Sequence, residues 1–99
     1  MAIRHLVLLR FKDDTTPAHI HGLEQEFCAL RSKIGAVQSL EWGTNNSPEG
    51  LDKGFTHCFN LTFADEAARA SYLPHPDHQA FVAQLKPALA DVLVLDYTV

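Results

Sequence analysis

Residues 2 to 12 carry a strand pattern with an unusual demand. Ile3, His5, Val7, Leu9 and Phe11 fall on one face, and Leu6 and Leu8 fall on the other between Arg4 and Arg10. A strand that is apolar on both faces through its middle belongs inside a sheet, with material above and below it. Asp91 to Val99 ends the chain with a second such pattern, Val92, Leu93, Val94, Leu95 and Tyr97. The 99 residues make one domain, residues 1–99. A domain of that size buries roughly 60 to 65% of its unfolded surface, so association with a second copy is a ready means of covering the rest.

Between those two strands the pattern changes period. Thr16 is placed to cap a helix with Pro17 at its first position, where the missing N–H costs nothing. Ile20, Leu23, Phe27, Leu30 and Ile34 then recur at helical spacing until Gly35. Val37 to Gly43 reads as a strand, and Thr44 to Gly54 as a polar hairpin connection. From Phe55 to Phe63 the alternation is clean: Phe55, His57, Phe59, Leu61 and Phe63 on one face, Thr56, Cys58, Asn60 and Thr62 on the other. Ala64 to Leu73 reads as a short helix ended by Pro74. His75 is placed to cap a further helix that starts at Pro76, buries Phe81, Val82 and Leu85, and stops at Lys86-Pro87.

The order is β-α-β-β-α-β, with the second helical stretch split by a proline turn. That order predicts an α+β, ferredoxin-like fold with a four-stranded antiparallel sheet, its first and third strands central and its helices on one face. His5 and His57 are expected as neighbours on the helix-covered face, near the Tyr72–His78 stretch. The opposite face offers Leu6 and Leu8 among polar residues, and a second copy packed face to face is expected to cover it.

Composition removes several classes of function. With 46% hydrophobic and 20% charged residues, a net charge of −4 and eight scattered Lys and Arg, the chain has no basic stripe for nucleic acid. The start is charged by Arg4 and its apolar run breaks at Arg10 and Lys12. It is therefore read as neither a signal peptide nor a membrane span, and the expected location is cytoplasmic. Cys28 and Cys58 stand alone, without disulfide or zinc spacing, and are expected as reduced, buried packing residues.

The chemistry concentrates in Tyr72-Leu73-Pro74-His75-Pro76-Asp77-His78, with His5 and His57 inside apolar strands. Imidazole exchanges a proton near neutral pH, with an unperturbed pKa of about 6.5. His78 is placed to act as a general base on a carbon between two carbonyls, with Tyr72 donating to the developing enolate oxygen. The competing reading has His78 bonding a carbonyl to fix the helix entry, with His75 as cap and His5 and His57 as satisfied core residues. His19 and His21 lie off the apolar stripe and are expected at the surface. A zinc site would need His75 and His78 with His5 or His57, and the cluster lacks a Cys or a well-placed carboxylate, so no metal is expected. No Gly-rich phosphate loop is present and no Ser-His-acid set can be placed, so no cofactor is expected.

Ile3-Arg4-His5, Trp42-Gly43-Thr44-Asn45, Ser47-Pro48-Glu49-Gly50, Gly54-Phe55-Thr56-His57, the Tyr72–His78 stretch and Asp96-Tyr97 together resemble the stress-responsive A/B barrel (Dabb) family over essentially the whole chain. The resemblance implies a dimeric α/β barrel of two ferredoxin-like chains. The family includes plant stress-associated proteins and a branch of polyketide cyclases that close a linear poly-β-ketide by aldol condensation. Their acid–base tyrosine and histidine match Tyr72 and His78, and further pocket histidines match His5 and His57. The expected pocket is small and apolar, lined by His5, Val7, His57, Phe59, Leu61, Phe81 and Val82. Two function classes follow: a cofactor-free cyclase, lyase or isomerase acting on a β-dicarbonyl compound, or a non-catalytic stress-associated dimer that binds an apolar ligand or a protein.

Overall fold

The computed structural model describes all of residues 1–99. Four strands, β1 (Ile3–Phe11), β2 (Ser39–Thr44), β3 (His57–Phe63) and β4 (Leu89–Thr98), form one sheet in the order β2-β3-β1-β4. Every neighbouring pair is antiparallel, with β1 and β3 in the middle. Three helices, α1 (Pro17–Lys33), α2 (Glu66–Tyr72) and α3 (Pro76–Leu85), complete a ferredoxin-like α+β fold, and a short 3-10 turn at Lys86–Ala88 leads into β4. No helix is long and apolar enough to cross a membrane.

The caps form where the sequence places them. Thr16 Oγ1 accepts the His19 N–H at 3.2 Å, and Pro17 opens α1. His75 Nδ1 accepts the Asp77 N–H at 3.1 Å above Pro76. The start of α2 is two residues later than the pattern suggests, because Asp65 takes the cap position and accepts from Ala68 N–H. β2 likewise starts at Ser39, since Val37 is spent in a buried turn, and β3 starts at His57, since Phe55 belongs to the connection. In that connection Gly54 has φ 84°, and a Cβ there would lie 2.9 Å from Arg10 Nε, so only glycine fits both demands.

The core is the helix-facing side of the central strands: Ile3, Val7 and Leu9 of β1 with Phe59, Leu61 and Phe63 of β3, closed by Leu23, Phe27 and Leu30 of α1 and Phe81 and Leu85 of α3. Phe27 stacks on Phe59 with ring centroids 4.1 Å apart and meets Phe81 at 4.9 Å. β4 differs. Val92 and Val94 pair with Leu9 and Val7 and so point to the helix side, yet they are 46% and 49% exposed, while Leu93, Leu95 and Tyr97 are exposed on the other face. The helices cover the central strands and leave this edge strand open on both sides.

One expectation fails here. His5 pairs with Leu61, whereas His57 pairs with Leu9, so the two histidines lie four residues apart along the ladder, roughly 13 Å. They share a sheet face but not a site. Periodicity sets which face a residue takes, and only the strand register sets how far along the face it falls.

The aromatic stack sets a stability expectation. Phe59→Ala removes a ring packed against Phe27 and Trp42, and should cost about 3–5 kcal/mol in urea unfolding, with the slope of the transition unchanged.

Candidate functional site

Two histidine-centred clusters stand at opposite ends of the sheet. The first is built where α2 turns into α3. Tyr72, the last residue of α2, is only 1% exposed, and its ring lies 4.3 Å from that of His78, 5.0 Å from Phe63 and 6.1 Å from His5. Burial pushes its phenol well above the usual tyrosine range, so Tyr72 keeps its proton.

His78, in the first turn of α3, has Nδ1 2.9 Å from the Leu73 carbonyl oxygen. A carbonyl only accepts, so Nδ1 carries the proton and Nε2 keeps its lone pair. The half-buried ring has its pKa lowered, first by desolvation and then by the nearby imidazoles of His5 and His75, against an opposing effect of the Leu73 bond. His78 is therefore neutral near pH 7 with a free basic nitrogen.

His5 is fixed by a carboxylate absent from the sequence reading of the site. Asp96 Oδ1 lies 2.7 Å from His5 Nδ1, and its Oδ2 accepts from Arg69 Nη1 at 3.0 Å. The signal was available: Asp96 is the one charge late in an apolar strand, and alternation puts it on the face of Val92 and Val94. The Asp96–Arg69 bond also ties the open edge strand to α2.

The remaining expected pocket residues are brought into one core but do not enclose a cavity of note. Val7, Phe59, Leu61 and Phe81 are buried, and the Phe27–Phe59 stack fills the space between α1 and the sheet; Val82 is half-buried on α3. Beside His5 the accessible apolar surface is that of Val94 on β4, which lies outside the expected pocket.

The second cluster surrounds His57. Its Nε2 lies 2.7 Å from Glu24 Oε2 on α1, and its Nδ1 2.7 Å from Thr56 Oγ1. The ring stacks on Trp42 at 5.8 Å and meets the edge of Phe11 at 5.1 Å. A hydroxyl–imidazole–carboxylate line forms here with a threonine, an arrangement outside the Ser-His-acid set considered from the sequence. Glu24 is 33 positions from His57, and nothing in the local sequence of either announces the pair. Thr56 and His57 line a cavity of about 500 Å3 reaching onto the open sheet face past Leu6, Leu8, Cys58 and Asn60.

Several side chains are spent on structure. His75 caps α3, and His19 and His21 are exposed. No group of three or more His, Cys, Asp or Glu side chains is arranged to hold a metal ion. Cys28 and Cys58 are free and half-buried; burial raises both thiols, with Glu24 adding to the rise at Cys28 and the Trp42 indole hydrogen bond opposing it.

Residues 3–99 match the Stress responsive A/B Barrel Domain, Dabb. The chain belongs to the Dabb family. Among its Dabb relatives, the Stress-response A/B barrel domain-containing protein HS1 of Arabidopsis thaliana is 36% identical over 96% of this chain and 87% of that protein. Olivetolic acid cyclase of Cannabis sativa is 30% identical over 99% of this chain and 97% of that enzyme. The fold matches hydroxynitrile lyase from Passiflora edulis with a TM-score of 0.93 at 26% identity, covering 99% and 93% of the two chains. It also matches a dimeric ferredoxin-like protein from Thermobifida fusca with a TM-score of 0.83 at 27% identity, covering 100% and 92%.

The lowered pKa of His78 has a consequence for this Dabb domain's acid stability. Below the ordinary value of 6.5 the unfolded chain binds the proton more readily than the folded one, so stability rises with pH through that window. The contribution of a neutral His78 is complete above pH 6.5 and is lost as pH falls through the folded-state value. Urea midpoints of the wild type should therefore fall more steeply on the acid side than those of His78→Gln. Nitrogen NMR should report the Nδ1-protonated tautomer.

Proposed function

We propose that this Dabb protein is a cofactor-free acid–base enzyme acting next to a carbonyl group, with His78 as base and Tyr72 as acid. The observation that carries the reading is the bond from His78 Nδ1–H to the Leu73 carbonyl, which leaves Nε2 free beside a buried phenol that stays protonated. Nε2 removes a proton from the carbon between two carbonyls, and the Tyr72 hydroxyl donates to the developing enolate oxygen. The carbanion closes a ring on a carbonyl of the same molecule, or the same pair of groups runs a lyase or isomerase step. The names of olivetolic acid cyclase and hydroxynitrile lyase support this class, since ring closure and cyanohydrin cleavage both need a positioned base, which takes a proton from carbon in the first and from the hydroxyl in the second.

The substrate is a compact β-dicarbonyl or polyketide-like compound. The Phe27–Phe59–Phe81 packing fills the interior, so the ligand approaches along Val94 with His5 and the half-buried Val82 at its side. His57 is too far along the sheet to join it, and Val7, Phe59, Leu61 and Phe81 support the floor and do not contact the ligand.

A homodimer is part of the proposal. The open sheet face and both faces of β4 leave an apolar surface that one chain does not cover, and the T. fusca relative in fold is dimeric. The free cysteines suit a reducing, cytoplasmic setting.

A second reading has its own support. The filled interior and the carboxylate partners of His5 and His57 suit a non-catalytic, stress-associated dimer whose histidines hold strands and helices together.

Mass-spectrometric turnover assays on short linear β-diketones and polyketide thioesters separate the two. The acid–base reading expects His78→Ala and Tyr72→Phe each to lose about a hundredfold or more of turnover. Retention of full turnover by both variants sinks it. An inactive wild type whose His78→Ala variant melts several degrees lower supports the non-catalytic dimer.

A further inference from the structure

The Leu73 carbonyl that orients His78 serves a second donor. Leu73 ends α2 with helical angles, φ −57° and ψ −45°, so its oxygen points out of the helix end, where N–H groups three and four residues on would meet it in a continuing helix. Neither is on offer. Residue 76 is a proline, and the Asp77 N–H goes to His75 Nδ1 at 3.1 Å. The oxygen is left to two side chains from the first turn of α3, His78 Nδ1 at 2.9 Å and Gln79 Nε2 at 2.8 Å. A carbonyl oxygen has two lone pairs, and these donors occupy both.

Sharing the oxygen limits what it can do for His78. A charged imidazolium gains more from a carbonyl acceptor than a neutral ring does, and the Leu73 bond accordingly favours protonation, against desolvation. Electron density drawn toward the Gln79 amide is not available to the ring, so the second donor holds that preference down. The other groups facing His78 are the Tyr72 phenol from α2, His5 from β1 and His75 from the turn before α3. Behind His5, Asp96 of β4 is paired with Arg69 of α2, and Asp77 of α3 lies 3.9 Å from His75. Gln79 itself is exposed on α3 and carries no charge.

We propose that Gln79 is a positioning residue for the His78 base, acting through the Leu73 carbonyl that both side chains share. Gln79 takes no part in proton transfer. By holding the oxygen from its second side, it fixes the acceptor in place and keeps it from drawing His78 into the charged form. Nε2 therefore stays available as a base to lower pH than a Leu73 carbonyl given to His78 alone would allow. The catalytic meaning of this bond pair rests on the acid–base reading of His78, whereas its effect on the ring is measured without any substrate.

The test is a nitrogen NMR titration of His78 in the whole chain, run on wild type, Gln79→Leu, which removes the donor, and Gln79→Lys, which restores one. Melting curves confirm that both variants fold. The expected result is that His78 of Gln79→Leu takes up its proton at higher pH than in wild type, while His78 of Gln79→Lys does not. In turnover of short linear β-diketones, Gln79→Leu should lose about threefold at about pH 6 and keep the wild-type rate at about pH 8. A purely structural glutamine would lower both rates alike. An unchanged His78 titration in Gln79→Leu, or an equal loss of turnover at both pH values, overturns the proposal. A wild type without turnover counts against the acid–base reading instead, and the titration of His78 still decides for or against Gln79.

Discussion

The pairing of β1 with β3 is the constraint on which the rest of the molecule depends. Ile3 faces Phe63, Val7 faces Phe59 and Leu9 faces His57, so one register brings nearly the whole apolar face of each strand under the helices. A slip by one residue would turn all of these side chains toward the open face, which is why the register is firmly specified. The same register carries His5 and His57 into the interior with the apolar residues. A buried imidazole is costly without partners, and each receives a carboxylate from a different element: Asp96 from β4 and Glu24 from α1. The polar contacts of the core thus follow from its apolar ladder. They also tie two peripheral elements to the central pair, β4 through Asp96 and α1 through Glu24.

The edge strand shows the other side of a small domain. β4 is apolar on both faces and covered on neither, and its residues face water from Asp91 to Val99. On the open side of β3, Asn60 Oδ1 is buried without a hydrogen-bond partner, an acceptor that one chain does not satisfy. The exposed strand arises because three helices do not cover a four-stranded sheet of this length, and it is the surface that the second copy proposed above would cover.

Much of the fold is legible in local pattern. Alternation from Phe55 to Phe63 gives the buried face of β3, and Thr16-Pro17 and His75-Pro76 mark two helix starts because capping is a contact over two or three residues. Distance along the sheet is not local. His5 and His57 share period and character, yet register separates them, and no count of apolar positions within either strand carries that information. The carboxylate partners were hidden for the same reason, lying 91 and 33 positions away from the histidines they hold. Nor is the filled interior local: in sequence Phe27, Phe59 and Phe81 read equally as lining or as filling, and only the fold stacks Phe27 on Phe59 with Phe81 tilted against it.

What distinguishes the histidines is how their nitrogens are occupied. His75 gives Nδ1 to a backbone N–H and is a cap. His57 has a hydrogen-bonding partner on each nitrogen, a carboxylate on one side and a hydroxyl on the other. His5 has one nitrogen on Asp96, and Arg69 shares that carboxylate and draws off part of its charge. His78 alone is held by a neutral carbonyl, in a partly dry setting, with other imidazoles and no carboxylate against it. A carboxylate would favour the charged ring, whereas a carbonyl orients the ring with a weaker preference and leaves desolvation to decide. The position in the first turn of α3, set by the proline turn after Tyr72, is what keeps His78 neutral and oriented while its neighbours are committed to holding the fold.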